Sequence, residues 1–172
     1  MTMADIRQSI ERAIEFLAEH PEKARASDKV AVAVVEEGLR CRAEGPNNAV
    51  LISDMPRTIG GGGTAPTPGW FLRAALANCD ATVIAMRAAQ LGIVLRTLEV
   101  SVDSQSDDRG MLGVGGGAAL PGPSSMRVRV RIAADDVPPE HLRQIVEWAE
   151  AHSPVGDALR RAVPFTTEIE VC

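Results

Sequence analysis

The chain of 172 residues has no tyrosine, only two tryptophans and three phenylalanines. Its core must therefore come from Ala, Val, Leu, Ile and Met, with helices packed closely through alanine. A surface that stacks nucleic-acid bases on aromatic rings is not expected. Positive charge is also short, since 18 Lys and Arg face 23 Asp and Glu and leave a formal charge of −5. Phosphate-backbone binding draws on clustered cations, so no nucleic-acid partner is expected. Cysteine is scarce and odd in number, with Cys41, Cys79 and Cys172 widely separated. This is neither a secreted disulfide framework nor a C-x-x-C zinc pattern, and it fits a reducing, cytoplasmic setting. Three scattered histidines make no metal site, and no cofactor is expected. Long apolar runs are missing as well. The stretch from Trp70 to Leu95 is broken by Arg73, Asp80 and Arg87, so no membrane span is expected. Met1 to Glu19 carries Asp5, Arg7, Glu11, Arg12 and Glu15 at intervals, which leaves no apolar stretch for a signal peptide.

What is present suits one globular domain. Apolar residues make up 45% of the chain and charged ones 24%, which places it well outside the disordered regime. Ile6, Ile10, Ala13, Ile14 and Leu17 recur at helical spacing up to His20 and Pro21, predicting an amphipathic N-terminal helix. Residues 1–27 then form a helix and charged link, and 28–172 the domain proper. Val30 to Val35, Leu39 to Ala43 and Ala49 to Ile52 read as strands separated by turn signals at Glu36-Glu37-Gly38 and Pro46-Asn47-Asn48. Arg57 to Pro68 holds four consecutive glycines and reads as a flexible connector. It lacks the Lys that a phosphate-cradling G-x-x-x-x-G-K-S/T loop requires.

Trp70 to Leu91 is apolar on nearly every side, the mark of a buried helix, and Gly92 stops it. Ile93 to Val102 and Met126 to Ala133 read as antiparallel partners, joined by a long, mobile tip from Asp103 to Ser125. Arg127, Arg129 and Arg131, like Arg40 and Arg42, alternate as on the solvated face of a strand. Pro138-Pro139 opens a further helix and Ser153-Pro154 a short one to Ala162, and Phe165 to Val171 reads as a closing strand. Blocks of strands and helices without βαβ alternation predict an α+β fold with antiparallel sheet. A helix apolar all round needs more cover than one small sheet provides, so a second copy of the chain is expected in a twofold dimer.

The segments PTPGWFLRAALANC (Pro66 to Cys79), DATVIAMRAAQLGIVLRTLEVSV and VEWAEAHSPVGDALRRAVPFTTEIEV resemble the two signatures and the helix-to-strand connection of the OsmC/Ohr family. The likeness covers roughly residues 28 to 172. It implies an intertwined homodimer with antiparallel sheets wrapped around long buried central helices. Well-known members reduce organic hydroperoxides with two cysteines, one from each signature, and with an Arg and a Glu near the first. Cys79 matches the peroxidatic cysteine. Ser153 stands where the second cysteine is expected, and Gly69 where the Glu is expected. The OsmC branch of the family points to Arg57 as the activating cation and the Ohr branch to Arg40.

Thiols attack peroxide as thiolates, so the ordinary cysteine pKa of about 8.5 must come down at a working site. Cys79 lies about ten residues into its helix, roughly 15 Å from the start, where the helix dipole has faded. A cation must therefore come from elsewhere, from Arg57 or from Arg40, each of which would otherwise simply face water. Cys79 also fits an Ala-rich helix as an inert apolar residue. Ser153 before Pro154 is a ready N-cap. His152, Ser153 and Asp157 lack the nucleophile elbow of a hydrolase. Two functions follow. One is a thiol-dependent peroxidase in which an external thiol resolves oxidised Cys79. The other is a non-catalytic dimer that binds an apolar ligand between its subunits.

Overall fold

The computed structural model describes residues 2–114 and 116–172. The chain divides by its internal contacts into two compact units, Met1–Gln8 with Leu76–Cys172, and Ser9–Ala75. Helix α1 spans Met3–Glu19. Its start is capped reciprocally, since the Asp5 amide donates to Thr2 Oγ1 and the Thr2 amide donates to the Asp5 carboxylate. No residue of α1 is buried, so its apolar stripe is only half covered.

In the unit of residues 9–75, β1 (Val32–Glu37), β2 (Arg40–Glu44) and β3 (Val50–Ser53) form an antiparallel meander in the order β1-β2-β3. The first turn, expected over Glu36 to Gly38, falls at Gly38 and Leu39, because Gly38, at φ 57°, is the residue that adopts the left-handed backbone while Glu36 and Glu37 stay in β1. Asn47 and Asn48, at φ 58° and 59°, make the second turn. All of β1 is exposed.

Helix α2 runs over Pro68–Gln90 and ends as expected at Gly92, whose φ of 71° closes the last turn. Its buried residues, Leu76, Asp80, Ile84, Ala88 and Ala89, form one stripe, whereas Met86 is exposed. Burial on every side is therefore not reached within a single chain. In the unit of 76–172, β4 (Leu95–Gln105) pairs with β5 (Ser125–Ala134) in an antiparallel two-stranded sheet. Its exposed face carries cross-strand ion pairs, with Arg127 and Arg129 on Asp103 and Arg131 on Glu99, so these arginines occupy the solvated face. The expected mobile tip contains a helical turn, α3 (Asp108–Met111), capped by Asp107, while Gly115 within it lies outside the described residues.

Helices α4 (Pro139–His152) and α5 (Pro154–Arg160) follow. Ile84, Ala88, Ile93, Leu142, Ile145 and Ala149 form the core, in which α2 packs on α4 and the inner face of β4 and β5. Trp148 pins the two helices together. Its ring stacks on His152 at 3.9 Å, and the Arg87 guanidinium of α2 lies 4.5 Å from its centroid. The expected closing strand is not formed. Residues 162–172 carry no regular structure, are exposed and pair with no strand among the described residues, with Phe165 at 89%, Ile169 at 83% and Val171 at 90% exposure. A strand needs a partner edge to bond to, and among the described residues this segment is bonded to none.

Candidate functional site

Cys79 lies in the middle of α2, half buried, and Asp80 follows it on the buried stripe. Between α4 and α5 the chain passes through Ser153, whose extended backbone (φ −76°, ψ 114°) makes it the N-cap of α5. Its hydroxyl accepts from the Gly156 amide at 3.1 Å and donates to Cys79 Sγ at 3.4 Å. Ser153 is 1% exposed, so this contact is withdrawn from solvent. The cap amide holds the oxygen lone pair and turns the hydroxyl proton toward the sulfur.

Arg160 closes the other side of the α4–α5 elbow. Its Nη2 donates to the Glu150 carbonyl, one of the free acceptors at the end of α4. A Cβ on Gly156 would stand 3.0 Å from Ser153 Oγ and 3.1 and 3.2 Å from the two terminal nitrogens of Arg160. The absence of a side chain at Gly156 thus leaves room for both the Ser153 hydroxyl and the end of Arg160 beside it. Asp80 Oδ1 is buried and finds no partner among the described residues.

The two arginines named from sequence belong to the unit of residues 9–75, where one buried carboxylate links them. Asp54, 2% exposed, accepts from the amides of Met55, Gly62 and Thr64 and from Thr64 Oγ1. Arg40 donates to that same Thr64 Oγ1 at 2.9 Å and to Glu36 at 3.3 Å. Arg57, exposed, donates from Nε to the Gly62 carbonyl at 3.2 Å. The hydrogen bonds from Thr64 hold the Asp54 pKa at about 2. The glycine run is accordingly no flexible connector. Amides of Gly60, Gly61 and Gly63 donate to the carbonyls of Arg57, Pro56 and Met55, and that of Gly62 to Asp54. With all four amides spent inside the loop, it cannot cradle a phosphate either.

A family model described as OsmC-like protein matches residues 60–168, more than half of the chain. The chain belongs to the OsmC-like family. Three solved structures show the same fold as this OsmC-like chain. An OsmC-like protein from Mycoplasma pneumoniae is 14% identical, with 80% of this chain and 91% of that one covered at a TM-score of 0.66. An organic hydroperoxide resistance protein from Legionella pneumophila is 20% identical, with 79% and 91% covered at 0.57. The organic hydroperoxide resistance protein OhrB of Bacillus subtilis is 17% identical, with 79% and 93% covered at 0.51. No curated protein matches.

Of the residues singled out in sequence, the OsmC-like fold brings Cys79 onto Ser153, and it places Arg40 and Arg57 on one hydrogen-bond network. His152, Ser153 and Asp157 do not assemble as a triad. His152 Nδ1 meets the Trp148 carbonyl, Asp157 pairs with Arg161, and the Ser153 hydroxyl is committed to Cys79 and Gly156. Cys41 is half buried and Cys172 exposed, and both are free thiols. Two residues escaped the sequence reading. Arg160 had a signal, because Ser153, Gly156 and Arg160 at spacings of three and four share one helical face. Asp54 had a weaker one, as an Asp just before a Pro and a glycine run, where such a side chain gathers backbone amides.

Proposed function

We propose that this protein is a thiol-dependent redox protein that reduces organic hydroperoxides. The Cys79 thiolate attacks the outer peroxide oxygen, the O–O bond breaks, and the alkoxide takes a proton and leaves as alcohol, with the sulfur oxidised to sulfenic acid. A hydroxyl at residue 153 cannot close a disulfide. An external low-molecular-weight thiol therefore condenses with the sulfenic acid, releasing water, and a second equivalent returns Cys79 to the thiol and departs as disulfide. The observation that carries this reading is the contact of 3.4 Å between Cys79 Sγ and Ser153 Oγ, which joins the two signature positions in one buried spot. The hydroperoxide-resistance names of the Legionella and Bacillus structures agree with it. Arg57 is the first choice for the activating cation and Arg40 the second. Arg57 binds only through Nε, which leaves its terminal nitrogens without a partner among the described residues, whereas Arg40 is engaged by both Glu36 and Thr64.

The active form in this proposal is a cytoplasmic homodimer. Residues 28–172 form the family domain and residues 1–27 a helix and link outside it. The exposed β1 and the unpaired apolar segment from Phe165 to Val171 support a twofold partner that covers them. Purified protein with dithiothreitol should consume cumene hydroperoxide, and Cys79→Ser should lose essentially all of that activity. Equal rates for the two proteins would overturn the redox reading. Ser at 153 and Gly at 69 favour one other reading, a non-catalytic dimer that holds an apolar ligand between its subunits. In that case Cys79 alkylates at pH 7 no faster than in the urea-denatured chain.

A further inference from the structure

The sulfur site has a neighbouring acid in Asp80, which is buried and has one oxygen without a partner among the described residues. A thiol that attacks peroxide as thiolate calls for a cation near it. Arg161, the last cation of the α5 segment, is tied to Asp157. Arg160 is different. Its only bond is to the neutral Glu150 carbonyl, and it faces no carboxylate among the described residues, so its charge is not cancelled. Its terminal nitrogens and Ser153 Oγ all lie within 3.2 Å of the point where a Cβ on Gly156 would stand. The same hydroxyl touches Cys79 Sγ at 3.4 Å.

We propose that Arg160 is a positioning residue of the thiol site, holding an uncancelled positive charge beside the Ser153–Cys79 contact and, through it, favouring the thiolate. Gly156 belongs to this arrangement because a Cβ there would press on both the Ser153 hydroxyl and the end of Arg160, which would each have to give by a few tenths of an ångström. The proposal rests on Cys79 being the reactive thiol. It adds a cation from the same compact unit as the sulfur, separate from Arg57 and Arg40. If Arg160 served only to cap α4, its charge would be irrelevant to the sulfur.

The test compares alkylation of Cys79 by neutral iodoacetamide and anionic iodoacetate, read on the Cys79 peptide by mass spectrometry after treatment of the intact protein. Both reagents consume the same thiolate, so the ratio of their rates reports local charge independently of the ionised fraction. Arg160→Gln should lower the iodoacetate-to-iodoacetamide ratio about threefold or more and move the rate-against-pH profile to higher pH. Arg160→Lys should retain most of the ratio. Gly156→Ala should lower it with the charge still in the chain, without loss of helix, because alanine is the better helix former. Melting curves of each variant show that the fold is kept. A parent Cys79 no faster than in the denatured chain would remove the redox reading and this proposal together. A fast parent thiol whose ratio is unchanged in both Arg160→Gln and Gly156→Ala would remove Arg160 alone.

Discussion

A hydroxyl in place of a thiol is a change of one atom type, and at Ser153 it decides what the proposed oxidised form could do next. The oxygen keeps the two hydrogen-bonding tasks of the position, capping α5 and contacting Cys79, but it cannot accept the sulfenic sulfur in a covalent bond. Ser153→Cys should restore that option. The Ser153 and Cys79 side-chain atoms already lie 3.4 Å apart. A modest approach brings two sulfurs to the bonding distance of about 2.05 Å. One equivalent of cumene hydroperoxide should then convert most of the Ser153→Cys protein to an internal disulfide, seen by intact mass as the loss of two hydrogens. Parent protein under the same treatment should instead gain one oxygen.

Between residue and fold stands the loop from Asp54 to Thr64, whose shape is set by one carboxylate. Gly61 follows a path on which a Cβ would lie 1.9 Å from the Met55 carbonyl oxygen, so the run of glycines serves close packing of backbone on backbone. Asp54 anchors that path through four hydrogen bonds, and its pKa falls from 3.8 to about 2. A depressed carboxylate contributes stability that is complete above its unfolded value and is lost as pH falls through the folded one. The Asp54 contribution is therefore present in full above pH 4 and disappears as pH falls toward 2. Asp54→Asn should melt several degrees lower at pH 7, and the gap between parent and variant should close across that acid window. A gap that persists unchanged at pH 2 would show that the charge of Asp54 does not hold the loop.

For the molecule as a whole, the chain leaves more apolar surface in water than its folded elements account for. The strand β1 is exposed along its whole length, and among the described residues both edges of the β4–β5 sheet are open and Phe165, Ile169 and Val171 project from a segment paired with no strand. Open edges beside an unpaired apolar segment invite pairing with another copy. The protein should elute at twice the mass of the chain in size-exclusion chromatography with light scattering. Replacing both Ile169 and Val171 by Asp should shift it toward monomer and promote aggregation at micromolar concentration. Parent protein that runs as a stable monomer would sink the dimer.

Periodicity and turn chemistry within a few residues were enough to place most elements of this chain. The helical spacing of α4, the glycine stop of α2, the Ser-Pro opening of α5 and the arginines alternating against carboxylates on β4 and β5 are local, and local patterns are legible in order along the chain. Signature segments likewise singled out Cys79 and Ser153, whose side chains meet in the structure. Other features depend on what meets across large separations. That Ser153 touches Cys79 across 74 positions, that Thr64 ties Arg40 to Asp54, and that Phe165 to Val171 has no strand beside it are decided by how the elements are packed. A β pattern states only that a segment suits an edge. Whether an edge is there depends on the tertiary fold, because strand hydrogen bonds, unlike those of a helix, come from residues far away in the chain.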